Sequence, residues 1–203
     1  MFSFRLRHPL LFAATFAILA AAAVMVFLLT GGGDSRPDYP YSLLVFEDQG
    51  REHLPVGQRY DFYNSNPPTS GPHAPAPADW GVHEEQVPKE VPVHNMEHGG
   101  VVIWYDCSFV LTTRIGIMPR AGQAGTGRPV AGPACKELRD ELASVVNRAV
   151  ADGKLVLMVP YAGLEHRIAL TAWRTLDTLD QFDEGRVQAF IDHFERLFNP
   201  EGF

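Results

Sequence analysis

Val91-Pro-Val-His-Asn-Met-Glu-His-Gly-Gly-Val-Val-Ile-Trp-Tyr105 joins two unlike pieces across a pair of glycines. The second piece, Val101 to Tyr105, is an unbroken run of β-branched and aromatic residues, the pattern of a strand buried on both faces. The first, His94 to His98, spells H-x-x-E-H. In one class of zinc peptidase that spelling places two histidines on a metal ion and gives the glutamate a proton to handle. On a helix His94 and His98 stand one turn apart and Glu97 comes round to their side. On a strand they also share a face, but Met96 then lies between them, as in a softer nitrogen–sulfur site. Pro92 before the pattern and Gly99-Gly100 after it leave room for little more than one helical turn. The expectation is therefore little more than one helical turn before the strand, and the peptidase reading, which needs several turns and a third ligand further on, loses most of its support.

Downstream of the strand, Phe109 to Pro133 is Gly-rich and reads as an insertion, with Phe109–Met118 as a candidate arm. Pro133 then opens a helix in which Leu138, Leu142, Val145, Val146 and Ala149 recur at three- and four-residue steps, with Asp152-Gly153 closing it. Lys154–Pro160 and His166–Trp173 read as second and third strands, and Asp183–Phe198 as a final helix. The order strand-helix-strand-strand-helix predicts a parallel pair joined by a helix, with the third strand antiparallel through a short turn. The fold class is a small α+β domain: a mixed sheet packed by helices.

Upstream, Asn66 to Pro92 holds seven prolines. Proline fixes φ and removes a donor, so the stretch forms neither a long helix nor a central strand. Trp80 and Val82 give it something to bury, which favours an ordered loop over the core. Short extended pieces are expected near Leu43–Phe46 and Arg59–Tyr63. Gly31 to Pro37 reads as a flexible tether.

Before the tether, an uncharged apolar run from Leu10 to Thr30 follows Arg5 and Arg7. A helix of that length spans roughly 30 Å, the thickness of a bilayer's hydrocarbon core. The run exceeds the 7–15 apolar residues typical of a cleaved signal, which favours an uncleaved anchor. Positive residues on its N-terminal side keep residues 1–9 in the cytoplasm, place residues 10–30 across the inner membrane and send the rest to the periplasm or exterior. Residues 31–40 are the linker and 41–203 the extracytoplasmic domain. With 24 acidic against 17 basic side chains the net charge is −7. No basic stripe is available for phosphates, which argues against a nucleic-acid partner. Cys107 and Cys135, an isolated pair in an oxidising compartment, favour a disulfide. Their spacing is far from the C-x-x-C of redox and metal sites.

Of the eight histidines, His8 belongs to the N-terminus, His53 sits in a charged turn with Arg51 and Glu52 and reads as solvated, His193 lies off the apolar stripe of its helix, and His166 begins a strand. His73, His83, His94 and His98 all lie in the Pro-rich loop or at its end. They serve either as main-chain hydrogen-bonding groups of a buried loop or as nitrogen ligands.

Asn66-Pro-Pro-Thr-Ser-Gly-Pro-His73, Val93-His-Asn-Met-Glu-His-Gly99 running into the strand, and Ile168-Ala-Leu-Thr-Ala-Trp173 together resemble the bacterial family catalogued as domain of unknown function 3105. The likeness runs from about Tyr60 to Glu201 with the three motifs in the family's order. It implies the fold and a membrane-anchored or secreted location, and carries no activity. The family's polar signature falls on His73, His94, Glu97 and His98. This chain departs from it with Met96 at a position more usually aliphatic and with a longer Cys107-to-Cys135 segment.

The expected function is an anchored domain binding a transition metal, copper or zinc. His73, His94 and His98 would supply nitrogens and Glu97 a further ligand or an acceptor fixing a tautomer, with Met96 and His83 in reserve. The alternative is an accessory or interaction subunit of a membrane complex, its histidines structural. A metal-dependent hydrolase with Glu97 as base comes third.

Overall fold

The computed structural model describes residues 38–108 and 133–200. β1 is Leu44–Val45, β2 Gly81–Val82, α1 Glu90–Glu97, β3 Val101–Tyr105, α2 Pro133–Ala151, β4 Val156–Pro160, β5 Ile168–Ala172, β6 Thr175–Leu179 and α3 Glu184–Phe194. The strands form one mixed six-stranded sheet in the order β1-β6-β5-β3-β4-β2. β3 lies inside it, parallel to β4 and antiparallel to β5. The expected membrane run, the tether and the arm at Phe109–Met118 fall outside the described residues. Among the described residues no helix is long and apolar enough to cross a membrane.

The uninterrupted apolar spelling of β3 follows from cover on both faces. Val101, Ile103 and Tyr105 pack with the stripes of α2 and α3, including Leu142, Val146, Phe190 and Ile191. Val102 and Trp104 pack on the other face with Val93 and Met96 of α1. The indole N–H of Trp104 donates to Thr171 Oγ1 on β5 at 2.7 Å, so the one polar atom on that buried ring is satisfied. Cys107 and Cys135 are bonded, with Cα atoms 5.2 Å apart, and tie the chain just past β3 to the first turn of α2.

Four expectations need correction. The H-x-x-E-H segment belongs to a longer helix than expected: α1 starts at Glu90, ahead of Pro92. Pro92 is the third helical residue, where a backbone N–H has no intrahelical partner to lose, so proline sits there without cost to the hydrogen-bond ladder. The third strand is antiparallel as expected, but its partner is β3, not β4. β6 was not foreseen; it pairs with β5 across the two-residue loop Trp173-Arg174. Arg174 takes a φ of 65° there, and such loops normally advertise themselves with Asn or Gly. Asp177 at the middle of β6 further disguised it. That carboxylate is buried and held by Arg186 of α3, whose Nε lies 2.8 Å from Oδ2. Finally, Arg59–Tyr63 forms no strand.

The glycine pair makes the junction possible. Gly99 has a φ of 84°, and its N–H donates to Met96 while Gly100 N–H donates to Asn95. These two bonds cap the last carbonyls of α1 in the double pattern of a left-handed helix end. A Cβ on Gly100 would lie 2.4 Å from the Trp80 ring and 2.7 Å from the Asn95 carbonyl oxygen. The helix thus ends and turns into β3 within three residues, His98 to Gly100.

Candidate metal centre

The Pro-rich segment lies over α1, and its backbone bonds set where its imidazole points. Residues 67–73 are all buried. Leu54 N–H donates to His73 O at 2.7 Å and His73 N–H to Glu52 O at 2.9 Å, a parallel bridge that aligns His53 beside His73. The Asn95 side chain of α1 bonds both the N–H and the carbonyl of Ala78, clamping the far end of the loop to the helix. Prolines limit the number of N–H groups such a buried loop must satisfy.

The result is a cluster of His53, His73, His94 and Glu97, in which one ligating atom from each lies within 4.8 Å of the others. His73 Nε2 is 3.0 Å from Glu97 Oε2, and His53 Nε2 is 3.6 Å from the same oxygen. Arg51 Nε stands 4.0 Å from Oε1. The His73 ring is fully buried and the Glu97 side chain is 4% exposed, whereas His53 is 46% exposed. The cluster therefore has a closed floor and one side toward solvent.

The proton positions follow from the partners. His73 Nδ1 lies 2.8 Å from the Gly71 carbonyl and His94 Nδ1 lies 2.7 Å from the Ala74 carbonyl. A carbonyl can only accept, so both Nδ1 atoms carry hydrogen and, in the neutral rings, both Nε2 atoms bear lone pairs. Burial pushes the pKa of His94 below the ordinary imidazole value; the Ala74 bond acts the other way, and His73, His98 and His53 add to the lowering. A main-chain carbonyl on one ring nitrogen and a lone pair on the other is the arrangement that orients metal-ligating histidines.

The structure places the expected site residues unequally. His73, His94 and Glu97 come together. Met96 faces the opposite way, fully buried against Val102 and Trp104, as a residue two positions from His94 on a helix should. His83 is elsewhere, its Nε2 donating to the Asp79 carbonyl at 2.8 Å on the surface. His98 stands next to the group, its Nε2 2.7 Å from that of His94. His53, read from sequence as solvated, is the member that sequence reasoning missed. Only the parallel bridge to His73 brings it in, and no local spacing announces that pairing.

The family model described as "Protein of unknown function (DUF3105)" matches residues 54–116 and 131–202. The chain belongs to this family. His73, His94, Glu97 and His98 lie inside the DUF3105 match, and His53 falls one residue before it. No curated protein and no solved structure gives a significant match.

The four groups offer three nitrogens and one carboxylate oxygen. Around a tetrahedral ion with bonds near 2 Å, ligand atoms lie about 3.3 Å apart, so the widest pair of this cluster has to close by roughly 1.5 Å.

Proposed function

We propose that this DUF3105 domain binds a divalent transition metal ion, zinc or copper(II), through His53, His73, His94 and Glu97. The apolar run at Leu10–Thr30 would hold it at the outer face of the membrane. One observation carries the metal reading. His73, with its Nδ1 proton committed to Gly71, turns its Nε2 lone pair toward a buried carboxylate oxygen 3.0 Å away. Two lone pairs facing each other in a buried site repel, and a cation bound to both from one side removes the conflict. A proton serves this purpose for one pair. Three imidazoles and a carboxylate gathered at one point suit a metal ion better. The donor set is nitrogen and oxygen, since Met96 faces the core and the cysteines are bonded to each other. That set favours divalent zinc or copper over copper(I), which prefers sulfur. Glu97 sits among the ligands, which weighs against a hydrolase using it as a separate base.

The test is elemental analysis of the full chain purified in mild detergent without chelator, followed by titration of stripped protein with zinc and copper(II). About one equivalent of metal, or micromolar binding of an added ion, is expected. Metal-free protein that ignores both ions would overturn the proposal.

Val56 at 89% and Phe62 at 80% exposure favour a second reading, an accessory subunit whose partner covers these side chains. The two separate by stability. If His73→Ala and His94→Ala lower the melting temperature equally with and without chelator, the histidines hold the loop and the subunit reading stands.

A further inference from the structure

His98 repeats the chemistry of its neighbours yet stands outside the group of four, and its contact with His94 explains why. The two Nε2 atoms are 2.7 Å apart and the rings are 23° from parallel. Stacked face to face, the rings would keep all their atoms about 3.5 Å apart. The ring centres, at 4.7 Å, stand farther apart than the nitrogens by nearly the two rings' radii. The imidazoles therefore meet edge to edge, nitrogen against nitrogen. His94 Nδ1–H is committed to Ala74, so its Nε2 accepts and His98 Nε2–H donates. Two nitrogens facing head-on at this distance have no room for an ion between them, given metal–nitrogen bonds near 2 Å.

The Nε2 lone pair of His94 thus has two claimants, the His98 proton and the ion. We propose that His98 is a gate on the metal centre: it occupies the His94 ligand atom when no metal is bound and must turn away for the ion to load. Space to turn exists. His98 lines an open groove of about 360 Å³ with Pro77, Trp80, Leu155 and Arg196. His98 is the residue that caps α1, so rotating its side chain leaves the helical hydrogen bonds intact. The gate rests on the metal-binding reading above, and assigns His98 the role of competitor instead of ligand.

The experiment compares zinc binding by the full chain with His98→Ala and His98→Gln, using a coloured chelator as competitor at equilibrium and stopped-flow mixing for the loading rate. Losing one competing hydrogen bond should tighten binding about three- to tenfold and speed loading. His98→Gln, which keeps an N–H donor of similar reach, should stay near wild type. Damage to the fold would weaken binding, the opposite direction, so the tightening is a readout that a structural role cannot produce. Weaker binding by His98→Ala in a protein that melts normally would make His98 a ligand and overturn the gate. Equal affinity and rate in all three proteins would overturn it while leaving the metal site standing. No zinc bound by any of them would overturn both.

Discussion

His73 is the residue on which the site turns. Its backbone is pinned by Leu54 and Glu52, its Nδ1 by Gly71, and its Nε2 faces Glu97, so nothing about its orientation is left to chance. Glu97 is the counterpart. Glu97→Gln keeps the shape but replaces an anionic ligand with a neutral one, and zinc affinity measured by chelator competition should fall at least tenfold. His94 governs a pH effect. Its folded pKa is lowered, so the unfolded chain binds its proton more readily. Its contribution is therefore present above the unfolded value near 6.5 and is lost as pH falls through the folded value. In metal-stripped protein, thermal melting between pH 8 and pH 5.5 should show a larger loss for wild type than for His94→Asn, whose amide can still donate to Ala74. At this scale the sequence was partly legible. Two histidines and a glutamate in H-x-x-E-H announced themselves because His94 and His98 share a face on a helix or a strand alike. His53 did not, because it joins the site through a backbone bridge to a segment twenty residues on.

The decisive element is α1 with its exit. A proline two residues ahead of the H-x-x-E-H pattern argued against a long helix, but position within the helix is what matters, and Pro92 occupies a turn that needs no N–H. Once α1 is helical, Glu97 joins His94 and Met96 turns to the core. The exit is equally constrained. Gly100→Ala would drive a methyl into the Trp80 ring and the Asn95 carbonyl, and the carbonyl is fixed by the helix. The cost should be about 1–3 kcal/mol, read as a melting temperature lower by roughly 2–4 °C for each kcal/mol. Metal affinity should fall as well, since the same shift moves His94 and Glu97. A stability loss with unchanged affinity would show that the junction does not position the site. β3 and α2 were legible from the start because burial on both faces, or on one stripe, leaves an unmistakable spelling. β6 was hidden by a buried aspartate that Arg186 of α3 and the Tyr39 hydroxyl hold, partners no local pattern reveals.

In the whole molecule the proposed ligands all precede β3 in the chain, and the disulfide lies just past it. The five residues of β3 between them span roughly 16 Å. Reducing Cys107–Cys135, or replacing both with serine, should therefore lower the melting temperature, with chain entropy alone accounting for roughly 3–4 kcal/mol. Zinc affinity should be unchanged. The mixed sheet, the two covered faces and the disulfide followed from periodicity and redox reasoning. The order of strands did not, because β5 pairs with β3 and not with its sequence neighbour β4, a choice that no local spacing encodes. The central claim is a three-nitrogen, one-oxygen metal centre. X-ray absorption of the zinc-loaded full chain should show imidazole and carboxylate scatterers at about 2.0–2.1 Å with no sulfur. A sulfur scatterer, or a spectrum of zinc held only by water, would contradict it.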